Sequence, residues 1–407
     1  MDFYVNSNQV YLYLETLKHF CMKPLLLFLA AFLFLYSCKK QDIPDGNITI
    51  PEIEKGIITG KIVAANKKTA VRNAIVFITD SSNVYSTYTD INGNFSLEAP
   101  AGLQKLHIQS GSGNIFRTDI NVIVVAKTTT AISTEAIQLN QVSSLAYIPG
   151  TYDKIEAILI DSLGYSATEI NYAALNSINL IKGFSAIFIN CTSGMNSDWL
   201  KDSVLAVYVA NGGSLYTSDY AVSSLIGMVA PPCPNPRPGG FIGDSLLCTQ
   251  RIGTSGTLNN ASITSPTLQT YLNKNTMNVK FDLGSWESVQ NFNSNFWEVM
   301  VTHPTTNAPL LLRTENYTNS SAGSVVVGPG SNNNMVTICH KPQGSLPVTI
   351  TIPQSELAFH LAHGDSQGSC NSVNGAGRIY YTTFHNHPNG LISSDMKHIL
   401  DFIILNL

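Results

Sequence analysis

Charge is scarce in this chain. Of its 407 residues, 12 % are Asp, Glu, Lys or Arg, about half the usual share, so its polar surface falls to Ser, Thr, Asn and Gln. The 23 basic residues against 27 acidic leave a net charge of −4. That is too small to draw the protein to nucleic acid or to an anionic membrane over long range, and no nucleic-acid partner is expected. Aliphatic and aromatic residues make up 44 %, which excludes charge-driven disorder. The length predicts two or three domains. Long apolar runs are lacking too. Leu25–Tyr36 is an unbroken run of twelve, about 18 Å as a helix, against roughly 30 Å of bilayer hydrocarbon.

That run follows Met22-Lys23-Pro24 and leads into Leu35-Tyr36-Ser37-Cys38. The layout is a cationic head, an apolar stretch and a cleavage site ending in a small residue. It resembles a bacterial lipoprotein signal, with residues 1–37 as signal peptide and translation starting at Met22. The resemblance implies that the Cys38 thiol takes a diacylglycerol and that cleavage frees its amine for a further acyl chain. Two or three chains give a durable membrane anchor. The expected location is the bacterial outer membrane or cell surface. Residues 38–55, with Pro44, Gly46 and Pro51 and no helical periodicity, read as the lipidated tether.

From 56 to 140 the chain reads as short strands: Ile57–Val63, Ala74–Ile78 and Val84–Thr89, each closed by polar turn residues. Such spacing predicts a small β-sandwich. Asn92-Gly93 supplies the positive φ of a tight hairpin, which is favoured over a calcium loop at Asp90 and Asn92 because no bidentate acid follows. Gly60, Ala74, the Thr89-Asp90-Ile91-Asn92-Gly93-Asn94-Phe95 hairpin and the Pro100-Ala101-Gly102 turn resemble the carboxypeptidase regulatory-like domain. That resemblance implies a non-catalytic spacer or binding module.

Past Ser143 the rhythm alternates. Leu145–Ile148 precedes a helical pattern through Ile155, Ile158, Leu159 and Leu163; Ser185–Asn190 is a continuous apolar strand; Trp199–Asn211 is helical; Ser214–Thr217 is a strand. Repeated strand and helix predict a flavodoxin-like, doubly wound parallel sheet over 143–407. The Ile187-Phe188-Ile189-Asn190-Cys191 and Asn211-Gly212-Gly213-Ser214-Leu215-Tyr216-Thr217-Ser218-Asp219 stretches, with the terminal Gly377–Asn386 strand and its helix, resemble the class I glutamine amidotransferase-like superfamily, in its trehalose-utilisation-type branch. The resemblance implies a nucleophilic cysteine on a strained elbow after Thr217, with a histidine as base. The elbow presents Ser218-Asp219 instead, and His385 stands where the base would be. Ser218 and His385 are thus the catalytic candidates, as a serine-type pair. Asn190, Asp219 and His387, at or near strand ends, are candidates for the floor of a binding crevice.

Residues 331–374 interrupt the pattern. They hold five of the nine histidines and cysteines after residue 300, in an Ile-Cys-His … His-Leu-x-His-Gly-Asp-x-x-Gly-x-Cys arrangement that resembles a short module of bacterial secreted and surface proteins. Cys339, His360, His363 and Cys370 make a Cys₂His₂ zinc set, with His340 in reserve. A Cys339–Cys370 disulfide is the competing reading. Cys233 and Cys248 bracket a proline-rich loop and form the expected bridge, leaving Cys191 odd and buried.

The leading expectation is an envelope protein anchored in the membrane by its N-terminal lipid, with a non-catalytic binding or structural module on a degenerate amidotransferase-like fold. The alternatives are a hydrolase or amidase using Ser218 and His385 or a zinc site, and a surface adhesin with a glycan or protein ligand.

Overall fold

A computed structural model describes residues 53–80, 83–111, 113, 115–192, 202–227, 240–315, 317, 335–340, 348–362, 365–367, 377–387 and 392–407. The signal segment, Cys38 and most of the tether lie outside the described residues.

The first eight strands form two facing sheets. They are β1 (Lys55–Val63), β2 (Ile75–Asp80), β3 (Asn83–Tyr88), β4 (Asn94–Pro100), β5 (Gly102–Ser110), β6 (Phe116–Val124), β7 (Thr129–Ala131) and β8 (Ile137–Gln138). One sheet runs β4-β1-β7 with β8 beside β1, and the other β3-β2-β5-β6. Alternation sets the inner faces: in β4, Phe95, Leu97 and Ala99 are buried while Asn94, Ser96 and Glu98 are exposed. Between Thr89 and Phe95 the Asp90 carboxylate accepts from the Asn92 and Asn94 amides, both at 2.8 Å, and Gly93 takes φ +78°. A Cβ there would lie 2.4 Å from the Ile62 carbonyl oxygen.

A nine-stranded sheet follows. Its members are β9 (Leu145–Ile148), β10 (Thr168–Glu169), β11 (Ala186–Ile189), β12 (Ser214–Ser218), β14 (Gly256–Ile263), β15 (Thr276–Phe281), β17 (Glu298–Thr302), β18 (Pro309–Thr314) and β22 (Ile379–Thr382). The order is β10-β9-β11-β12-β22-β18-β17-β14-β15. The first five are mutually parallel and stand in the flavodoxin-like 2-1-3-4-5 order. The last four extend it antiparallel. Every residue of β11 and β22 is buried, as a sheet covered on both faces requires. A separate ribbon pairs β13 (Leu247–Ile252) with β16 (Trp286–Phe292).

The crossovers are less regular than the sequence predicts. Over 155–163 the expected α-helix is a π-helical turn, Ala157–Ser162, in which the Leu163 amide reaches back five residues to the Ile158 carbonyl. Asn66 and Thr69 of the sandwich take the Ser162 carbonyl, an outside partner that an isolated helix lacks. The last helix, Ser394–Asn406, starts where the Ser393 hydroxyl accepts from the Met396 amide. Its Met396, Ile399, Leu400, Phe402 and Ile403 join one apolar core that runs on into the sandwich through Phe116, Ile58 and Ile62.

The insert forms a small sheet, β20-β19-β21, from β19 (Met335–His340), β20 (Val348–Pro353) and β21 (Ser366–Gln367), with a helix over Leu357–Ala362. Its core is not its own. Ile338, Ile352, Leu357 and Leu361 pack against Ile75 and Phe77 of the sandwich, so the insert docks through an apolar face.

Candidate functional site

The carboxyl ends of the parallel strands bring a group of buried polar side chains together. The loop after β9 brings Asp153, the residues after β11 bring Asn190 and Cys191, β12 ends on Ser218-Asp219, and β22 runs on to His385, Asn386 and His387. In open sheets of this kind, ligands bind where the strand order reverses. Here that is between β9 and β11.

The elbow lies one residue beyond its expected place. Ser218 is still extended, at φ −122° and ψ 136°, and it is Asp219 that takes φ +45°. A left-handed backbone at a residue with a Cβ costs energy and persists where the surroundings impose it. The surroundings are specific: Asp219 Oδ1 accepts from the Glu287 amide at 2.7 Å, and the Cys191 thiol donates to Oδ2 at 3.6 Å. Burial, with the charge of Glu287, lifts the Asp219 carboxyl to about 8.

The Ser218 hydroxyl is committed to other partners. Fully buried, it donates to the Asp153 carboxylate and accepts from the Cys191 amide at 3.1 Å. Asp153 also takes the Asn386 amide at 3.0 Å. Burial raises its carboxyl to about 7 against the pull of these donors. The Ser218 hydroxyl is thus held by Asp153 and the Cys191 amide, while His385 stands beside Asp219 and Asp282.

His385 Nε2 lies 3.8 Å from Asp219 Oδ2 and 3.7 Å from Asp282 Oδ1, and His387 Nε2 lies 3.3 Å from the same Asp282 oxygen. Both imidazoles are buried, while Asp282 keeps 31 % of its side chain exposed and so marks the open side. Burial, then the neighbouring His387, pushes His385 down to about 3, and it is a neutral imidazole at neutral pH.

Cys191 is no substitute nucleophile. It is fully buried, and burial together with the Asp219 carboxylate pushes its thiol far up. A thiol held protonated is inert. Asn190 is spent on architecture: its Oδ1 accepts from the Ile155 amide at 3.1 Å and its Nδ2 donates to Glu156 at 2.7 Å. Beside the crevice, the rings of Tyr152 and Tyr220 meet edge to face at 6.3 Å, and the Arg251 guanidinium stands 3.9 Å over the Tyr220 ring. Glu287, also fully buried, bonds across the β13–β16 ribbon to Thr249 at 2.9 Å and Arg251 at 3.4 Å, and its amide ties the ribbon to Asp219.

Sequence reasoning missed Asp153, Asp282 and Glu287. The signal for Asp153 was its place just after the first strand of a doubly wound sheet. Asp282 and Glu287 follow or sit in antiparallel strands outside the βαβ pattern and carry no such signal.

Of the insert's expected ligands, His363 and Cys370 lie outside the described residues. Cys339 stands in β19, opposite Thr349 and Ser366 in register. His360 Nδ1 meets the Asp365 carboxylate at 2.7 Å. Cys233 also lies outside the described residues, while Cys248 is buried in β13.

The strand order defines the class: a flavodoxin-like α/β domain. No protein-family profile matches the chain, and no curated protein matches it. Among solved structures, it is similar to a putative ThuA-like protein from Bacteroides uniformis, at 10 % identity over 64 % of this chain and 89 % of that one, with a TM-score of 0.30. A type II cohesin-X-dockerin complex from Acetivibrio cellulolyticus matches 28 % of this chain and 88 % of its own at 19 % identity and a TM-score of 0.20. Both likenesses are too slight to carry a functional argument, and the fold class rests on the strand order.

Proposed function

We propose that this chain is a lipid-anchored envelope protein whose crevice binds a ligand and does not carry out amidotransferase chemistry. The observation that supports it most is the elbow. Where glutaminase chemistry needs a cysteine, the strained position holds Asp219, a carboxyl fixed by the Glu287 amide and lifted by burial. A protonated, doubly held carboxyl is a poor nucleophile. The Ser218 hydroxyl is engaged by Asp153 inside the core. The half-buried tyrosines beside the crevice suit a ligand with an apolar face, such as a sugar ring or an aromatic side chain.

The anchor rests on Cys38 and its preceding segment. Cys38→Ser, expressed in a bacterium with lipoprotein processing, moves the chain from the membrane to the soluble fraction. The disulfide proposed between Cys233 and Cys248 closes the proline-rich loop, and peptide mapping without reductant reads it directly.

The test of the crevice is turnover. The full chain is assayed against glutamine and against aryl esters and amides, beside His385→Ala. The expected result is no release above the buffer rate for either protein. Turnover by the wild type that His385→Ala abolishes overturns the reading in favour of a hydrolase or amidase.

A further inference from the structure

We propose that Asp282, His385 and His387 bind a divalent transition-metal ion of the zinc class. This inference rests on the reading of the crevice as a binding site and names what occupies its floor.

The donor atoms converge. Among the described residues, groups of His, Cys, Asp and Glu close enough to hold one ion occur as Asp282-His385-His387 and as Cys191-Asp219-His385, two sets that share His385. The distances of 3.3 Å from His387 to Asp282 and 3.7 Å from His385 to Asp282 compare with ligand separations of roughly 3.3–3.6 Å around a tetrahedral ion at 2.0–2.2 Å.

The donors come from two places in the fold: the extension of β22 and the turn after β15. Each is held. The rings of Phe281 and Trp286, which flank the Asp282 turn, stack at 3.8 Å, and Tyr220 donates to the Ser285 carbonyl at 3.0 Å. His387 is hydrogen-bonded to the Lys280 backbone, the outer support that fixes a ligating imidazole. His385 is 3 % exposed, and its Nδ1 has no hydrogen-bond partner.

The donor set selects the ion. Two imidazoles with carboxylate oxygens suit zinc, cobalt, nickel or iron(II) over magnesium or calcium, which prefer all-oxygen shells. Cys191 Sγ stands behind Asp219, at 3.6 Å from its Oδ2, and orients that carboxyl. The solvent side of the ion is the Asp282 side, where an oxygen of a bound ligand completes the shell.

The experiment titrates the full chain, stripped with chelator, with Co²⁺ and then Zn²⁺, following the visible absorption of cobalt. It compares the wild type with Asp282→Asn, His387→Gln and the Cys339→Ser/Cys370→Ser double variant. The expected result is a cobalt band in the wild type and the double variant, with affinity reduced about 100-fold or more in Asp282→Asn and His387→Gln. Melting in chelator shows that each variant folds, and if His387→Gln does not, Asp282→Asn at the exposed rim decides alone. Equal binding by the wild type and Asp282→Asn, or no saturable binding by the wild type, overturns the inference. The outcomes stay separate: a crevice that binds an organic ligand without metal removes the ion and leaves the proposed function, whereas glutamine turnover removes the proposed function and leaves the ion.

Discussion

Asp153 carries the sharpest single-residue consequence. Its carboxyl is fully buried and raised from 3.8 to about 7. Between those values the folded chain holds a proton that the unfolded chain has lost, so the folded state binds more protons and stability falls as pH rises from about 4 to about 7. The upper bound on the loss is roughly 4 kcal/mol. Urea unfolding at pH 5 and pH 8 measures it, and Asp153→Asn, which keeps a polar group opposite Ser218, flattens the slope; an unchanged slope contradicts this role. Ser218→Ala removes the hydroxyl between the Asp153 carboxylate and the Cys191 amide. It costs about 1–3 kcal/mol by leaving a buried acceptor and donor unsatisfied, and the denaturation midpoint reads it. At this scale the sequence pointed to Asp219, His385 and His387 by their places at or near strand ends. It could not reveal the pairing, because whether Ser218 ends the strand or starts the elbow depends on one backbone torsion.

Elements were legible where their pattern is intrinsic. β11, β12, β22 and the helix Ser394–Asn406 stand where apolar runs and a serine cap place them. The turn at Ala157–Ser162 departed from prediction because its last carbonyl finds partners 93 and 96 residues away, which no local pattern contains. The start of β22 offers a test of close packing. A Cβ on Gly377 would lie 2.0 Å from the Gly213 carbonyl oxygen, backbone against backbone, so Gly377→Ala pushes β22 off its neighbour and costs about 1–3 kcal/mol. A melting temperature equal to wild type contradicts that contact. In the insert, Leu361 is buried against a core completed by Ile75 and Phe77. Leu361→Ala costs about 2–5 kcal/mol there and loosens β19 and β20 selectively; hydrogen exchange rises in those strands while β11 and β12 stay protected. Uniform exchange across all four strands contradicts docking of the insert on the sandwich.

For the molecule as a whole, one apolar core passes from the sandwich through Phe116 and Tyr165 to the last helix, with the Phe116 and Tyr165 rings at 4.4 Å. A shared core couples unfolding, so residues 53–407 melt in a single transition by calorimetry, and two resolved transitions contradict the coupling. The sequence showed a β part and an α/β part but not their joint core, because contacts between parts leave no periodicity. The central claim concerns the ends of the parallel strands: a flavodoxin-like sheet whose buried thiol there is not activated. It is tested most directly by alkylation of the native full chain with iodoacetamide near neutral pH, followed peptide by peptide by mass spectrometry. Cys191, buried and with its thiol pushed up, is predicted to stay unmodified until the chain is denatured. Alkylation of native Cys191 within minutes, lost in His385→Ala, would show an activated thiol and contradict the account.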